Sequence, residues 1–199
     1  MRAKSRLFVL LMSTALMVTF SGPAAAMKYM SLKDALTHFF PGAKSKTTKI
    51  TKLKDAEAAV PAGKLGKLKK KYDLEDTGDF KNKLTAGPHT VYVGRDTAGT
   101  VKGYVMVLDQ YWRTCYHKYA VGLDAGGAIK EMVVMEFNCK YQYPINKKSF
   151  LKQFNGKKGG EKTHVGKGID VVSGATRSCE ATAMVARKAM ALYEVFFAK

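Results

Sequence analysis

From His89 to Phe137 the hydrophobic period of the chain becomes two and holds through four segments, and no other feature constrains the fold as much. Thr90–Val93 and Val101–Leu108 flank turn residues at Asp96–Gly99; Tyr116–Leu123 and Ala128–Phe137 flank a second set at Asp124–Gly127. Alternation bounded by Asp and Gly predicts strands, and the short spacing predicts two antiparallel hairpins. A sheet of this size needs something to cover its apolar face. The chain offers a long helix from about Ser178 to Phe197, with Ala181, Met184, Val185, Leu192, Val195 and Phe196 at helical spacing and Lys188 interrupting them. A shorter helix is predicted at Lys148–Phe154. Another, opened by the capping box Ser31–Asp34 and stopped by Pro41-Gly42, runs through Phe40. The predicted class is α+β: an antiparallel sheet of two hairpins packed against a long C-terminal helix, with a short N-terminal helix.

Residues 1–26 read as an address and not as part of the fold. Arg2, Lys4 and Arg6 precede an apolar run from Leu7 to Phe20, and Ser21-Gly22-Pro23 and Ala24-Ala25-Ala26 follow it. That is the layout of a secretory signal peptide cleaved after Ala26. The run is about 14 residues, about 21 Å as a helix, too short to cross the bilayer. The expectation is a single domain over residues 27–199 that works in the periplasm or at the cell exterior. Its charge is one-sided: +18 for the whole chain, less the three basic residues of the leader, leaves +15. Lysines crowd residues 44–71, where Ile50, Leu53, Val60, Leu65 and Leu68 lie between them. A solvated strand and helix face accounts for this; an attractive patch for an acidic partner or an anionic membrane surface is the sharper reading. No recognition helix or RNA-binding platform is present, so nucleic acid is not the expected partner.

Phosphate-loop, dinucleotide-binding and esterase-elbow patterns are missing. Cys115, Cys139 and Cys179 form no CxxC, and His38, His89, His117 and His164 show no metal-ligand spacing, so no metal site is expected. Cys115 and Cys139 lie near the open end of the second hairpin. Whether they bridge depends on a register that the residues leave open, and Cys179 would then be the odd thiol.

One string stands out. Asp170-Val-Val-Ser173-Gly174-Ala175-Thr176-Arg177-Ser178 immediately precedes the long helix. Ser-Gly-Ala makes a tight turn that another molecule can approach, and Thr176 and Ser178 place hydroxyls at a helix start, where free amides and the dipole favour a phosphate. On generic grounds the same string is a glycine turn with a Ser/Thr cap. It closely resembles, however, the motif D-x-x-[ST/A]-G-A-[TS]-x-[ST] of the FMN-binding domain family, matching at Asp170, Gly174, Ala175, Thr176 and Ser178. That family includes flavin-carrying subunits of the sodium-pumping NADH:quinone reductase and Rnf complexes, NosR-like regulators and domains of some fumarate reductases. The resemblance extends to Tyr119–Asp124 with Ala128–Val134, to Ser149–Gly156 and to Val101–Tyr104, and so covers about residues 90–197. Where many members carry Glu-Thr followed by glycine after the second strand, this chain has Glu136–Tyr143.

The resemblance implies FMN joined covalently through a phosphoester to Thr176, with Asp170, Ser173, Gly174, Ala175, Arg177 and Ser178 as cofactor-binding residues and no catalytic residue. It implies an extracytoplasmic, FAD-dependent flavin transferase as one partner, since a threonine hydroxyl needs activation from elsewhere. An electron carrier follows, serving a redox partner such as a membrane quinone-linked complex or a multihaem cytochrome. Two other readings stand beside it: a flavin-dependent reductase of a small acceptor, and a regulatory or binding module. Trp112, Tyr141 and Tyr143 are the aromatic residues that could stack on the ring, although core or edge roles suit each of them as well.

Overall fold

The computed structural model describes residues 27–41, 48–52, 59–82, 84–85, 89–113, 115–139, 143–159 and 163–198. The expected leader, part of the lysine-rich stretch and Tyr141 lie outside the described residues. In chain order the elements are β1 (Met27–Lys28), α1 (Leu32–Phe39), β2 (Thr48–Lys52), α2 (Ala62–Lys71), β3 (Phe80–Lys81), β4 (Val91–Asp96), β5 (Val101–Trp112), β6 (Cys115–Leu123), β7 (Ile129–Phe137), α3 (Lys148–Leu151), β8 (His164–Val165), β9 (Gly168–Ile169) and α4 (Thr176–Phe196). An antiparallel sheet runs in the order β1-β7-β6-β5-β4-β2, with β3 added along the far end of β5; β8 and β9 form a separate parallel pair.

Both hairpins are present, closed as their turn residues predict. Asp96 Oδ1 accepts the Thr100 amide at 2.9 Å, and Asp124 Oδ1 accepts the amides of Gly126 and Ala128 at 2.8 and 2.9 Å. The alternation to Leu108 underestimates β5, which continues to Trp112. The pattern broke at Gln110, a polar residue that is nonetheless fully buried; its amide nitrogen donates to the carbonyls of Lys81 and Tyr111 at 3.2 and 3.0 Å. Polar burial of this kind is stable only when bonded, and only the fold supplies the partner.

Alternate residues face two layers. Val91, Val93, Met106, Tyr119, Val121, Met132 and Val134 pack with α4 and α3 in the larger core. Val105, Ala120 and Met135 face the other way, onto Ala35 and Phe40. α1 forms as expected, with Ser31 Oγ accepting the Asp34 amide. Its Phe40 and Phe39 rings press onto Gly94 and Gly122, where a Cβ atom would collide with them. The sheet is therefore covered on both faces, the second by one short helix.

The long helix begins at Thr176, two residues earlier than the spacing predicts, and buries nearly all of its central turns. Lys188 is buried too, its Nζ donating to the Asp109 carbonyl at 2.7 Å. The segment from Tyr72 to Phe80 runs back along α4 as a strap. The Tyr72 hydroxyl donates to Glu194 near the end of the helix, the Arg187 guanidinium donates to the Asp73 carbonyl at 3.3 Å, and Arg177 at its start lies 3.9 Å from Asp79.

Glu194 is held at that far end by Tyr72 and by Lys71, whose Nζ is 2.7 Å away. Burial pushes its carboxyl up, but the bonds from Lys71 and Tyr72 outweigh this and hold it below the ordinary range. A depressed carboxyl stabilises the fold above its unfolded pKa, and that stability is lost as pH falls through the folded value. Glu194→Gln is therefore expected to flatten the fall in urea midpoint between about pH 5 and pH 3. Superimposable pH curves for the two proteins would show that the strap is not fastened there.

Candidate functional site

Pro and Gly are absent from the sequence between Ala175 and Phe197, so the chain enters α4 from a single turn and does not leave it for 21 residues. The entry turn is Ser173-Gly174, with Gly174 at φ 76°, in the left-handed region that favours glycine. The Ala175 amide donates to the Val172 carbonyl at 3.0 Å, and the first helical bond runs from the Cys179 amide to the Ala175 carbonyl at 2.9 Å. The capping residue is thus Ala175, which has no side-chain acceptor, and the first turn contains no acid. The generic reading of the string as a Ser/Thr cap is corrected here: Thr176 is the first helical residue, and its hydroxyl does not serve as the cap.

The amides of Thr176, Arg177 and Ser178 precede the first helical bond. As the first three amides of the helix they have no acceptor within it, and the positive end of a long helix dipole lies there. This arrangement fits a phosphate in charge and in donor set. Thr176, Arg177, Asp170, Ser173 and Gly174 are exposed, while Ala175 and Ser178 are buried. The predicted residues are thereby divided: Thr176 is offered to a visitor, whereas Ser178 supports the turn from beneath through its carbonyl, which accepts the Thr182 hydroxyl at 2.8 Å.

Below Thr176 on α4 lies a cleft of about 590 Å³ between the helix and the strap, lined among others by Asp79, Phe80, Arg177, Glu180, Met184 and Arg187. Residues 176, 180, 183 and 187 fall on one helical stripe, and the last three line this cleft, so Thr176 stands at its head. Arg177 is already paired: Glu180 holds it at 2.9 Å and Asp79 at 3.9 Å. Asp79 in turn takes the Arg113 Nε at 2.9 Å, and that bond, with Arg177 nearby, holds its carboxyl below the usual range. An incoming phosphate would have to share Arg177 with these two acids.

Several residues of the site are invisible to motif reading. Gln153, in the turn after α3, grips the Asp170 backbone: its Oε1 accepts the Asp170 amide at 2.7 Å and its Nε2 reaches the Asp170 carbonyl at 3.5 Å. Cys179, the odd thiol, is buried, its Sγ accepting the Val172 amide at 3.5 Å, and burial pushes the thiol up. It steadies the turn as an inert side chain. Arg187, about 95% buried, donates to the carbonyls of Thr163 and Asp73 from the back of the cleft. No spacing in the sequence marks any of these three.

Trp112 pairs with Phe80 at the sheet edge and carries the Arg113 guanidinium 5.9 Å from its ring centroid, an edge role and not a cleft role. The Tyr143 side chain lies outside the described residues. Cys115 and Cys139, left open by the sequence, are joined, with Cα atoms 5.0 Å apart. A bulge between Lys118 and Tyr119 sets the register in which His117 faces Phe137, and the same register carries Cys115 opposite Cys139. Among the described residues no cluster of His, Cys, Asp or Glu could hold a metal ion, and no helix is long and apolar enough to cross a membrane.

Comparison with known proteins adds three findings. No curated protein matches the chain. The solved structure of NqrC from Shewanella oneidensis is similar to 79% of this chain and 86% of its own, at 16% identity and a TM-score of 0.49. The sequence profile of the FMN-binding domain matches residues 85–191, a span that contains both hairpins, the Gln153 clasp, the entry turn and most of α4. The chain belongs to the FMN-binding domain family.

Proposed function

We propose that this protein is an exported electron carrier that holds FMN through a phosphoester to the Thr176 hydroxyl. The observation that carries the reading is the start of α4: an exposed threonine at the first helical position, three amides ahead of the first helical bond, no side-chain cap and no acid in the first turn. A noncovalent flavin outside the membrane would be lost by dilution, since even nanomolar binding, about −12 kcal/mol, permits escape. A tether removes that loss, and the remaining contacts need only orient the ring. The bound flavin would supply reversible uptake and release of electrons.

The chain's own residues do the rest. The Thr176 hydroxyl is the attachment point, activated by a flavin transferase that also works outside the membrane and draws on FAD. The amides of residues 176–178 would hold the phosphate, and Arg177, paired with Glu180, would add a charged donor beside it. Phe80 and Met184, which line the cleft below Thr176, would offer the ring apolar contact. The +15 balance favours a redox partner with an acidic face, such as a quinone-linked membrane complex or a multihaem cytochrome, through a fast and salt-sensitive encounter.

The test is co-expression with and without the transferase, followed by intact-mass measurement of the secreted chain. A yellow protein whose mass gains one FMN only with the transferase supports the reading. A colourless protein of unmodified mass in both hosts overturns it. Gln153→Ala is expected to cost about 1 kcal/mol of stability and to slow flavin attachment several-fold by loosening Asp170. Attachment at the wild-type rate would show that this clasp does not position the turn.

A further inference from the structure

The disulfide lies beside a buried histidine. His117 is fully buried, stacks on Phe137 at 4.1 Å between ring centroids, and presents Nε2 to Cys139 Sγ at 3.1 Å. Its Nδ1 lies 3.5 Å from the Tyr119 hydroxyl, which is 2.7 Å from Thr182 Oγ1. Thr182 donates to the Ser178 carbonyl, so its one proton is spent. Tyr119 must then donate to Thr182, and its oxygen is left able only to accept. A His117 proton on Nδ1 gives that oxygen its donor, and in this tautomer Nε2 faces the sulfur as a bare lone pair. Burial holds the imidazole neutral, its pKa pushed down to about 3.

The chain of donors consequently ends on an acceptor that the disulfide cannot fill. A buried acceptor without a donor is costly, whereas a Cys139 thiol would supply the missing proton. The two sulfurs also differ in access: Cys139 is 3% exposed, and Cys115 is only partly buried. We propose that Cys115 and Cys139 form an exchangeable dithiol–disulfide couple, a second redox centre whose substrate is an external dithiol and whose reduced form is stabilised by His117 Nε2.

The exchange balances as follows. A partner thiolate attacks Cys115 Sγ, the Cys115–Cys139 bond breaks, and its electron pair stays on Cys139. Cys139 takes up a proton and donates it in a hydrogen bond to Nε2. The partner's second thiol then attacks the mixed disulfide, frees Cys115 as a thiol and leaves the partner as a disulfide. Two electrons and two protons pass from partner to pair. The site lies at the cleft end of the sheet, since Trp112 faces both Cys115 and Phe80, but the inference stands without any flavin.

The experiment equilibrates the purified full-length protein, still folded, in glutathione buffers of graded redox poise, then counts alkylated thiols by mass. Buried Cys179 is counted in both forms. Structural disulfides resist the glutathione pool; this pair is expected to open and close reversibly within it. His117→Phe removes the lone pair and keeps the stack, and is expected to shift the equilibrium about ten-fold toward the disulfide. Tyr119→Phe releases His117 to carry its proton on Nε2, and is expected to shift it the same way by less. A pair that stays closed until the protein is unfolded overturns the proposal whatever the variants do. A wild-type pair that opens but is unmoved by His117→Phe overturns the role of the histidine.

Discussion

Thr176→Val is expected to abolish covalent flavin completely while leaving the fold intact. Valine has nearly the same shape as threonine and lacks only the hydroxyl. The position is exposed, no bond from the hydroxyl closes the cap, and the first helical bond begins at Ala175. The stability change should lie within about 0.5 kcal/mol, as for other surface substitutions. Intact mass after co-expression with the transferase reads the flavin, and thermal melting reads the fold. If Thr176→Val still gains an FMN, the attachment lies elsewhere in the chain. If it melts far below the wild type, the hydroxyl has a structural role that the geometry of the turn does not contain.

The largest effect on stability is expected at Gly103. It sits in β5 opposite Gly94, just before the register shift between Gly94 and Arg95, with φ at 155°. A Cβ there would strike the carbonyl oxygen of Leu123 on the neighbouring strand. That contact is with backbone, so no rotamer relieves it, and the sheet itself would have to move. Overpacking and backbone strain together put Gly103→Ala at about 3 kcal/mol. For a domain of this size that is about 10 °C in Tm. A melting temperature within a degree or two of the wild type would mean that β5 and β6 do not approach one another as described.

Much of this molecule was legible before any coordinates, and the illegible parts share a cause. The two hairpins, their Asp-Gly turns, the capping box at Ser31 and the long helix are all written in local sequence, because a period of two, a turn residue or a cap acts within a few positions. β1 and β3 escaped because two residues are too few to show a period, and β2 was legible only as a solvated strand in the lysine-rich stretch. The string Asp170–Ser178 was readable only as a resemblance; that Ala175 and not a serine or threonine is the cap came from the fold. Gln153, Arg187 and the Tyr72–Phe80 strap meet their partners across 17 to 122 positions, and no local window spans that. The Cys115–Cys139 pairing depends on a one-residue bulge beside Lys118, which composition does not announce.

The strap has a mechanical meaning. Fastened to α4 near its end, at its middle and at its start, it cannot peel away at one anchor while the others keep their partners. The slot it encloses is accordingly shaped as the polypeptide folds, and what is left for a guest to rearrange is the exposed Arg177 side chain, shared with Asp79 and Glu180. Most of the entropy of shaping the berth is then settled during folding. Under the proposed function, the charged side chains around the flavin include those of Asp79, Arg177, Glu180 and Arg187.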